Sequence, residues 1–426
     1  MKKNNTEYCL FYEAEEKAEI IEHYFNNSNN IKKYFRCGSL RRKKEIVRNC
    51  NYVLVINSFD EFIELIKQIP NFKKIITKKN EKVCFVLNDN FQFDINICEE
   101  KEFFYKILYF TGSYEHNESL RKIAEKNGFE MNEHGLKKDN KFFSFNSENE
   151  IYKLLNMEYI EPELRENMGE IEVSLNKNLP ELIEKDDLKG VFHIHTTSSD
   201  GELSFEQIEK KCIEKNYEYA GISDHSVSSF YANGLDETRL LKQIDEINEY
   251  NKKSKIYFLC GVECDIRTDG SLDYDDNILK KLDFVIASVH QSFKLSEDEM
   301  TDRIVKALSN PYVTMLGHST GRLLLKRNPY NVNLYKVIEK AAEFNKAIEI
   351  NSNPYRLDID WRYLKYAKSL GVKLFINPDA HYEKDFDNIK FGVNIARKGW
   401  LGKKDVINTM NLNEIINFLK ISRGNI

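Results

Sequence analysis

The stretch Gly190-Val191-Phe192-His193-Ile194-His195-Thr196-Thr197-Ser198-Ser199-Asp200 decides how the second half of this chain folds. A short apolar strand ends in two histidines spaced i, i+2, a spacing that a regular strand places on one face. A polar turn follows, with an aspartate five residues past the second histidine. Two imidazoles and a carboxylate so arranged begin a metal site. Alone, the pattern fits a surface strand with incidental histidines equally well, so the rest of the chain must decide.

Downstream the pattern is strand, loop, helix, repeated. Strands are expected at residues 190–195, 219–223, 257–263, 284–289, 313–317, 347–350 and 373–376. Helices are expected between them, at 204–215, 237–252, 299–308, 332–344 and 361–370. Seven strands alternating with helices imply parallel strands joined by crossovers, and a closed or nearly closed barrel. Sites in such barrels form at the carboxyl ends of strands. His193, His195 and Asp200 close the first strand, Asp224-His225 the second, Glu263 the third, His290 the fourth and His318 the fifth, and Asp379-Ala380-His381 follows the last. Of nine histidines in the chain, six fall at these strand ends. With Asp200, Glu263 and Asp379 they make nine nitrogen and oxygen ligands, too many for one tetrahedral ion but suited to two or three divalent ions such as manganese, zinc or iron.

This constellation resembles the PHP (polymerase and histidinol phosphatase) phosphoesterase domain over about residues 188–426, together with Thr268 to Tyr274, His318 to Leu324 and Glu349 to Asp358. The resemblance implies a distorted (β/α)7 barrel and a trinuclear centre. In that centre His193, His195, Glu263 and Asp379 hold one ion. Glu263 bridges to a second held by His290 and His318, and Asp200, His225 and His381 hold the third. Arg322 and Arg356, just beyond neighbouring strand ends, are candidate catalytic residues that either contact phosphate or close internal ion pairs. Asp224, a third candidate, either orients a neighbouring ligand or caps the turn after it.

The first half reads as a small α+β unit: a helix at 13–24, a buried strand at 52–56, a helix at 59–68 and strands at 82–87 and 91–97. The last alternates, with Phe91, Phe93, Ile95 and Ile97 on one face and Gln92, Asp94 and Asn96 on the other. Gly38-Ser39-Leu40-Arg41-Arg42, Phe110 to Asn117, Asn132 to Leu136 and Tyr159 to Asn167 resemble, in order, motifs of bacterial family X DNA polymerases. That family carries Asp-x-Asp on the strand after Gly-Ser-x-Arg-Arg to hold two magnesium ions. Asn49-Cys50-Asn51 stands here instead, and only the third carboxylate, Asp94, remains. A neutral amide loses most of the attraction of a carboxylate for a hard dication, so this half is expected not to polymerise. The palm-like region begins almost at residue 1, so the family's N-terminal lyase and helix-hairpin-helix domain is expected to be missing. Two basic clusters, Lys32, Lys33 and Arg41 to Lys44, and Lys137, Lys138 and Lys141, either hold DNA or are solvated faces. The expected domains are a degenerate palm-like domain at 1–105, a thumb-like domain with linker at 106–185 and the PHP domain at 186–426.

Composition bounds the partners. A net charge of -5 argues against coating nucleic acid by bulk electrostatics, though not against a local basic groove. Eight cysteines without a Cys-x-x-Cys pair read as reduced thiols. No signal peptide or membrane span is legible, so a cytoplasmic protein is expected. Three functions remain open: hydrolysis at DNA 3' ends, hydrolysis of a small phosphate monoester as in histidinol phosphate phosphatases, or a non-catalytic DNA-binding relic. The complete ligand set weighs against the third.

Overall fold

A computed structural model describes residues 8–423. The chain divides into two compact units, Met1–Leu179 and Pro180–Ile426. Among the described residues no helix is long and apolar enough to cross a membrane, and all eight cysteines are free thiols.

The first unit is built on a five-stranded sheet. The strand order is Ile31–Cys37, Asn49–Ile56, Gln92–Ile97, Lys82–Leu87, Phe72–Lys79, with only the second and third parallel. Both faces are covered. Phe25 of helix Phe11–Asn26 meets Tyr52 edge-on at 5.5 Å and lies 6.4 Å from Phe62 of helix Phe59–Lys67. On the other face Val53 and Val55 pack with Phe103 and Ile107 of helix Phe103–Thr111. The polar face of the Gln92–Ile97 strand is therefore buried too, at Asp94 and Asn96, and each is satisfied by hydrogen bonds as burial requires. Asn96 Nδ2 donates to the Tyr52 carbonyl at 3.2 Å, while Asn49 Nδ2 and Gln92 Nε2 donate to the Asp94 carboxylate. Gly38, at φ +70°, sits where a Cβ would lie 2.6 Å from Asn51 Nδ2, so the chain passes there only because the residue is glycine.

Much of the first basic cluster is committed internally. Arg41 and the fully buried Arg165 share the Glu148 carboxylate, the latter at 2.6 Å. Arg42 pairs with Glu166 at 3.0 Å, and Lys33 with Glu100. In the second cluster Lys137 pairs with Glu130 at 2.8 Å.

The second unit contains seven parallel strands in chain order: β1 (Gly190–Ile194), β2 (Tyr219–Ile222), β3 (Tyr257–Asp265), β4 (Phe284–Ser288), β5 (Met315–Leu316), β6 (Ala347–Asn351) and β7 (Leu374–Asn377). The five expected helices form between them. Two more, Ile389–Lys398 and Leu412–Ser422, follow β7. The barrel nearly closes. At its upper rim His195 N donates to the Ala380 carbonyl at 2.9 Å, and Ala380 N to the His193 carbonyl at 3.0 Å. At its base the buried Asn408 spans the seam, with Nδ2 donating to the carbonyls of Gly190 in β1 and Ile376 in β7.

The period of two along each strand sorts the lumen into storeys. Phe192, Tyr219, Leu259, Phe284, Ile286, Met315, Ala347 and Phe375 fill the lower part, sealed below by Ile407, Ile415 and Leu419. The rings of Phe284 and Phe375 both meet Phe192 edge-on at 4.9 Å. Gly261 leaves room for this layer, since a Cβ there would lie 2.3 Å from the Phe284 ring. Continuing upward in steps of two, Leu259 leads to Glu263, Phe284 to His290, Ala347 to Glu349 and Phe375 to Asp379.

β1 breaks this rule. Strict alternation would put Phe192 and His193 on opposite sides. The β1–β2 register shifts between Val191 and Ile194, and His193 takes φ +58°. This bulge turns both residues inward, Phe192 into the apolar layer and His193 into the polar one above it.

Candidate metal centre

The upper storey gathers all nine expected ligand residues. Glu263, 1% exposed at the end of β3, is the hub. Its carboxylate oxygens lie 3.3 Å from His193 Nε2, 3.6 Å from His195 Nε2 and 3.0 Å from His225 Nδ1. They lie 3.2 Å from His290 Nε2 and 2.8 Å from His318 Nε2. Asp379 Oδ1 stands 3.5 Å from His193 Nε2 and 3.4 Å from His195 Nε2. Asp200 Oδ1 stands 3.6 Å from His225 Nε2 and 3.3 Å from His381 Nε2. Four overlapping groups have all their ligand atoms within 4.8 Å of one another: His195, Asp200, His225 and His381; His193, Glu263 and His318; His193, His195 and Asp379; and His225, Glu263 and His290.

Several of these atoms are buried without a hydrogen-bond partner: His193 Nε2, both ring nitrogens of His195, His225 Nδ1 and His318 Nδ1. Each unsatisfied buried group costs about 1–3 kcal/mol, so this many at one point calls for another occupant. Cations are the occupant the donors suit, being imidazoles and carboxylates. Burial pushes the Glu263 carboxyl up, but His193, His290 and His225 outweigh it and hold it well below its usual range. Asp379 is held down likewise, chiefly by His193. Burial, with His381 and His225 nearby, brings His195 down to about 4, whereas at His193 burial is outweighed by Glu349, Asp379 and Glu263, and at His290 by Glu263 and Asp265, which drive both rings up.

Behind this layer stand two carboxylates that sequence reasoning did not single out. Glu349 is fully buried in β6 and accepts from His193 Nδ1 at 2.6 Å and from His318 N at 2.8 Å. Asp265 holds His290 Nδ1 at 2.8 Å. Both were findable, as Glu349 is an acid inside the expected sixth strand and Asp265 lies two residues beyond Glu263 on the same face. Such partners fix the tautomer and direction of a ligand ring. Glu349→Gln is expected to weaken metal binding about 10–100-fold, read by titrating the apoprotein with Mn²⁺ in a calorimeter. Unchanged affinity would mean that Glu349 does not orient His193.

The three other candidates fare differently. Arg356 lies in the site: its Nε is 3.4 Å from Asp379 Oδ2, and it lines a cavity of about 370 Å³ together with Asp200, Glu263, His290, His318 and His381. Of the two roles left open for Arg322, phosphate contact or an internal ion pair, the structure displays the ion pair. Its Nη1 pairs with Asp360 at 2.7 Å, while Nε and Nη2 donate to the carbonyls of Arg356 and Leu357. With every donor nitrogen engaged it braces the loop that presents Arg356. The Asp224 carboxylate is spent on the turn before it rather than on a ligand ring. It accepts from Thr196 N and Thr196 Oγ1, both at 2.7 Å, and from Ser199 and Gln243, so it clamps the turn between His195 and Asp200.

A parallel seven-stranded barrel with a buried cluster of histidines and acids at its carboxyl-end mouth is a PHP phosphoesterase domain, and a family model described as the PHP domain matches residues 192–353. A model of the DNA polymerase beta thumb matches residues 106–166. The chain belongs to the PolX family: it is 38% identical over 408 residues to the DNA polymerase/3'-5' exonuclease PolX of Bacillus subtilis (strain 168), covering 95% of this chain and 71% of that relative. It is also 30% identical over 239 residues to a probable phosphatase of Thermoanaerobacter sp. (strain X514), covering 54% of this chain and 93% of that relative. A probable phosphatase of Caldanaerobacter subterraneus subsp. tengcongensis is 28% identical over 245 residues.

Proposed function

We propose that this protein hydrolyses phosphodiester bonds at DNA 3' ends with its barrel, and that its polymerase-like half does not polymerise. In this reading residues 1–105 are a degenerate palm-like domain, 106–185 a thumb-like domain with linker, and 186–426 the phosphoesterase domain of a cytoplasmic enzyme. The observation that carries the hydrolytic reading is the set of buried, unpartnered imidazole nitrogens around Glu263. His193, His195, Glu263 and Asp379 would hold one ion, Glu263, His290 and His318 a second, and Asp200, His225 and His381 a third. Manganese, zinc and iron all suit such nitrogen and oxygen donors. When bound, such ions supply a nucleophile from water near neutral pH and neutralise charge on the phosphoryl oxygens. The chain itself contributes the orientation of each ring, through Glu349 and Asp265, and a guanidinium, Arg356, beside the cavity for a phosphoryl oxygen. The kinship to PolX supports DNA as the substrate.

The inactive half rests on Asp94. Its carboxylate already accepts from the amides of Asn49 and Gln92, and no other acid remains where Asp-x-Asp would stand. Template-dependent nucleotide addition in a primer-extension assay would sink that part.

The similarity to probable phosphatases supports a second reading, a monoesterase for a small metabolite. The two are separated by incubating the protein and Mn²⁺ with a labelled 3'-recessed oligonucleotide beside a panel of sugar and amino-alcohol phosphates. Stepwise shortening, abolished by a chelator and restored by Mn²⁺, is expected. Free phosphate from the small molecules alone would favour the second reading. An intact oligonucleotide and intact monoesters would leave only the DNA-binding relic.

A further inference from the structure

The loop between β2 and helix Glu237–Asn251 presents two large aromatic rings to solvent. Phe230 is 83% and Tyr231 66% exposed. One exposed ring is ordinary, but this pair differs from chance exposure in two respects. Tyr231 lines the same cavity as the metal cluster. The loop is also braced on several sides. Ser229 Oγ donates at 2.6 Å to Asp265, the carboxylate that holds His290. Ser226 Oγ and Ser228 N both donate to Asp273 at 2.7 Å. Asn233 Nδ2 donates to the Ser198 and Ser199 carbonyls, at 3.1 and 3.2 Å, in the turn that carries Asp200. The rings therefore stand in water on a fixed support tied to two ligand-bearing loops.

We propose that Phe230 and Tyr231 are a stacking platform for bases at the 3' end of a single-stranded nucleic acid whose scissile phosphate lies in the metal cleft. The proposal rests on the reading of the barrel as a nucleic-acid hydrolase and names its substrate form. Aromatic faces bind any base, so the contact is indifferent to sequence. The two rings stand at 77°, with centroids 6.0 Å apart. They suit successive bases turned against each other, which a flexible single strand allows and a stacked duplex does not. The same cavity carries Lys326, its Nζ 4.0 Å over the Tyr355 ring, and Arg356, cations suited to the backbone. A sugar phosphate without a base gains nothing from the platform.

The test uses the full chain with Mn²⁺, oligothymidylate, and the same oligonucleotide with its last two nucleotides made abasic. The wild type should degrade the abasic strand with a KM about 10–100-fold higher. Phe230→Ala/Tyr231→Ala should raise KM for oligothymidylate to that level and leave kcat and the abasic substrate unaffected. Phe230→Tyr/Tyr231→Phe should restore the wild-type KM. Wild-type constants for the double alanine variant, or equal losses on both substrates, would overturn the platform. A wild-type protein that leaves oligonucleotides intact but releases phosphate from sugar phosphates would instead overturn the proposed function, a distinguishable failure.

Discussion

Glu263→Gln is expected to lower turnover by about 10³-fold with the barrel still folded. Among the described residues Glu263 is the one carboxylate within 3.6 Å of five imidazoles, so it is placed to serve more than one ion. The amide removes a negative charge and turns one acceptor oxygen into a donor aimed at cations or ligand lone pairs. Metal ions contribute several kcal/mol to a phosphoryl transition state, and losing about 4 kcal/mol is about 10³ in rate. Both tryptophans, Trp361 and Trp400, lie in the barrel unit, so their fluorescence reports its folding. A variant with normal turnover and full metal content would remove Glu263 from the centre.

The second large effect lies in the other unit. Glu148→Ala leaves the buried guanidinium of Arg165 and the partly buried one of Arg41 without their shared carboxylate. Breaking one member of a buried charge cluster costs about 3–5 kcal/mol, because the remaining charges stay desolvated and unpaired. Far-UV circular dichroism should reveal an earlier unfolding step in urea, while the tryptophan transition keeps its midpoint. Coincident shifts in both signals, or none, would refute this. Acid should act in the same direction. Burial pushes the Glu148 carboxyl up, but Arg165 and Arg41 outweigh it and hold it below its usual range. In the unfolded chain it titrates as an ordinary carboxylate. The stability it contributes is therefore complete above that ordinary range and is lost as pH falls through the depressed value.

All seven barrel strands and five of its helices were legible because periodicity and strand-end chemistry are local properties. The convergence of the nine candidate ligand residues was legible because parallel strands carry their carboxyl ends to one rim. Other features needed three dimensions. The bulge at His193 has no local signature, and regular alternation placed the two histidines together for an incomplete reason. Arg322 and Arg356 look alike in sequence, yet only the fold reveals that one has every donor nitrogen engaged by the neighbouring loop while the other lines the cleft. For the basic run Arg41 to Lys44 the sequence left DNA contact and a solvated face open, and the acids that pair with Arg41 and Arg42, Glu148 and Glu166, lie more than a hundred residues away. The strand Phe72–Lys79 was missed because its lysines and threonine mask the pattern of an edge strand.

The aromatic layer around Phe192 also governs traffic. A vessel closed at the bottom has a single mouth, so whatever reaches the histidines and acids above the floor enters and leaves by the same side. Nothing drains through the floor. An occupant that lingers at the rim therefore excludes its successor.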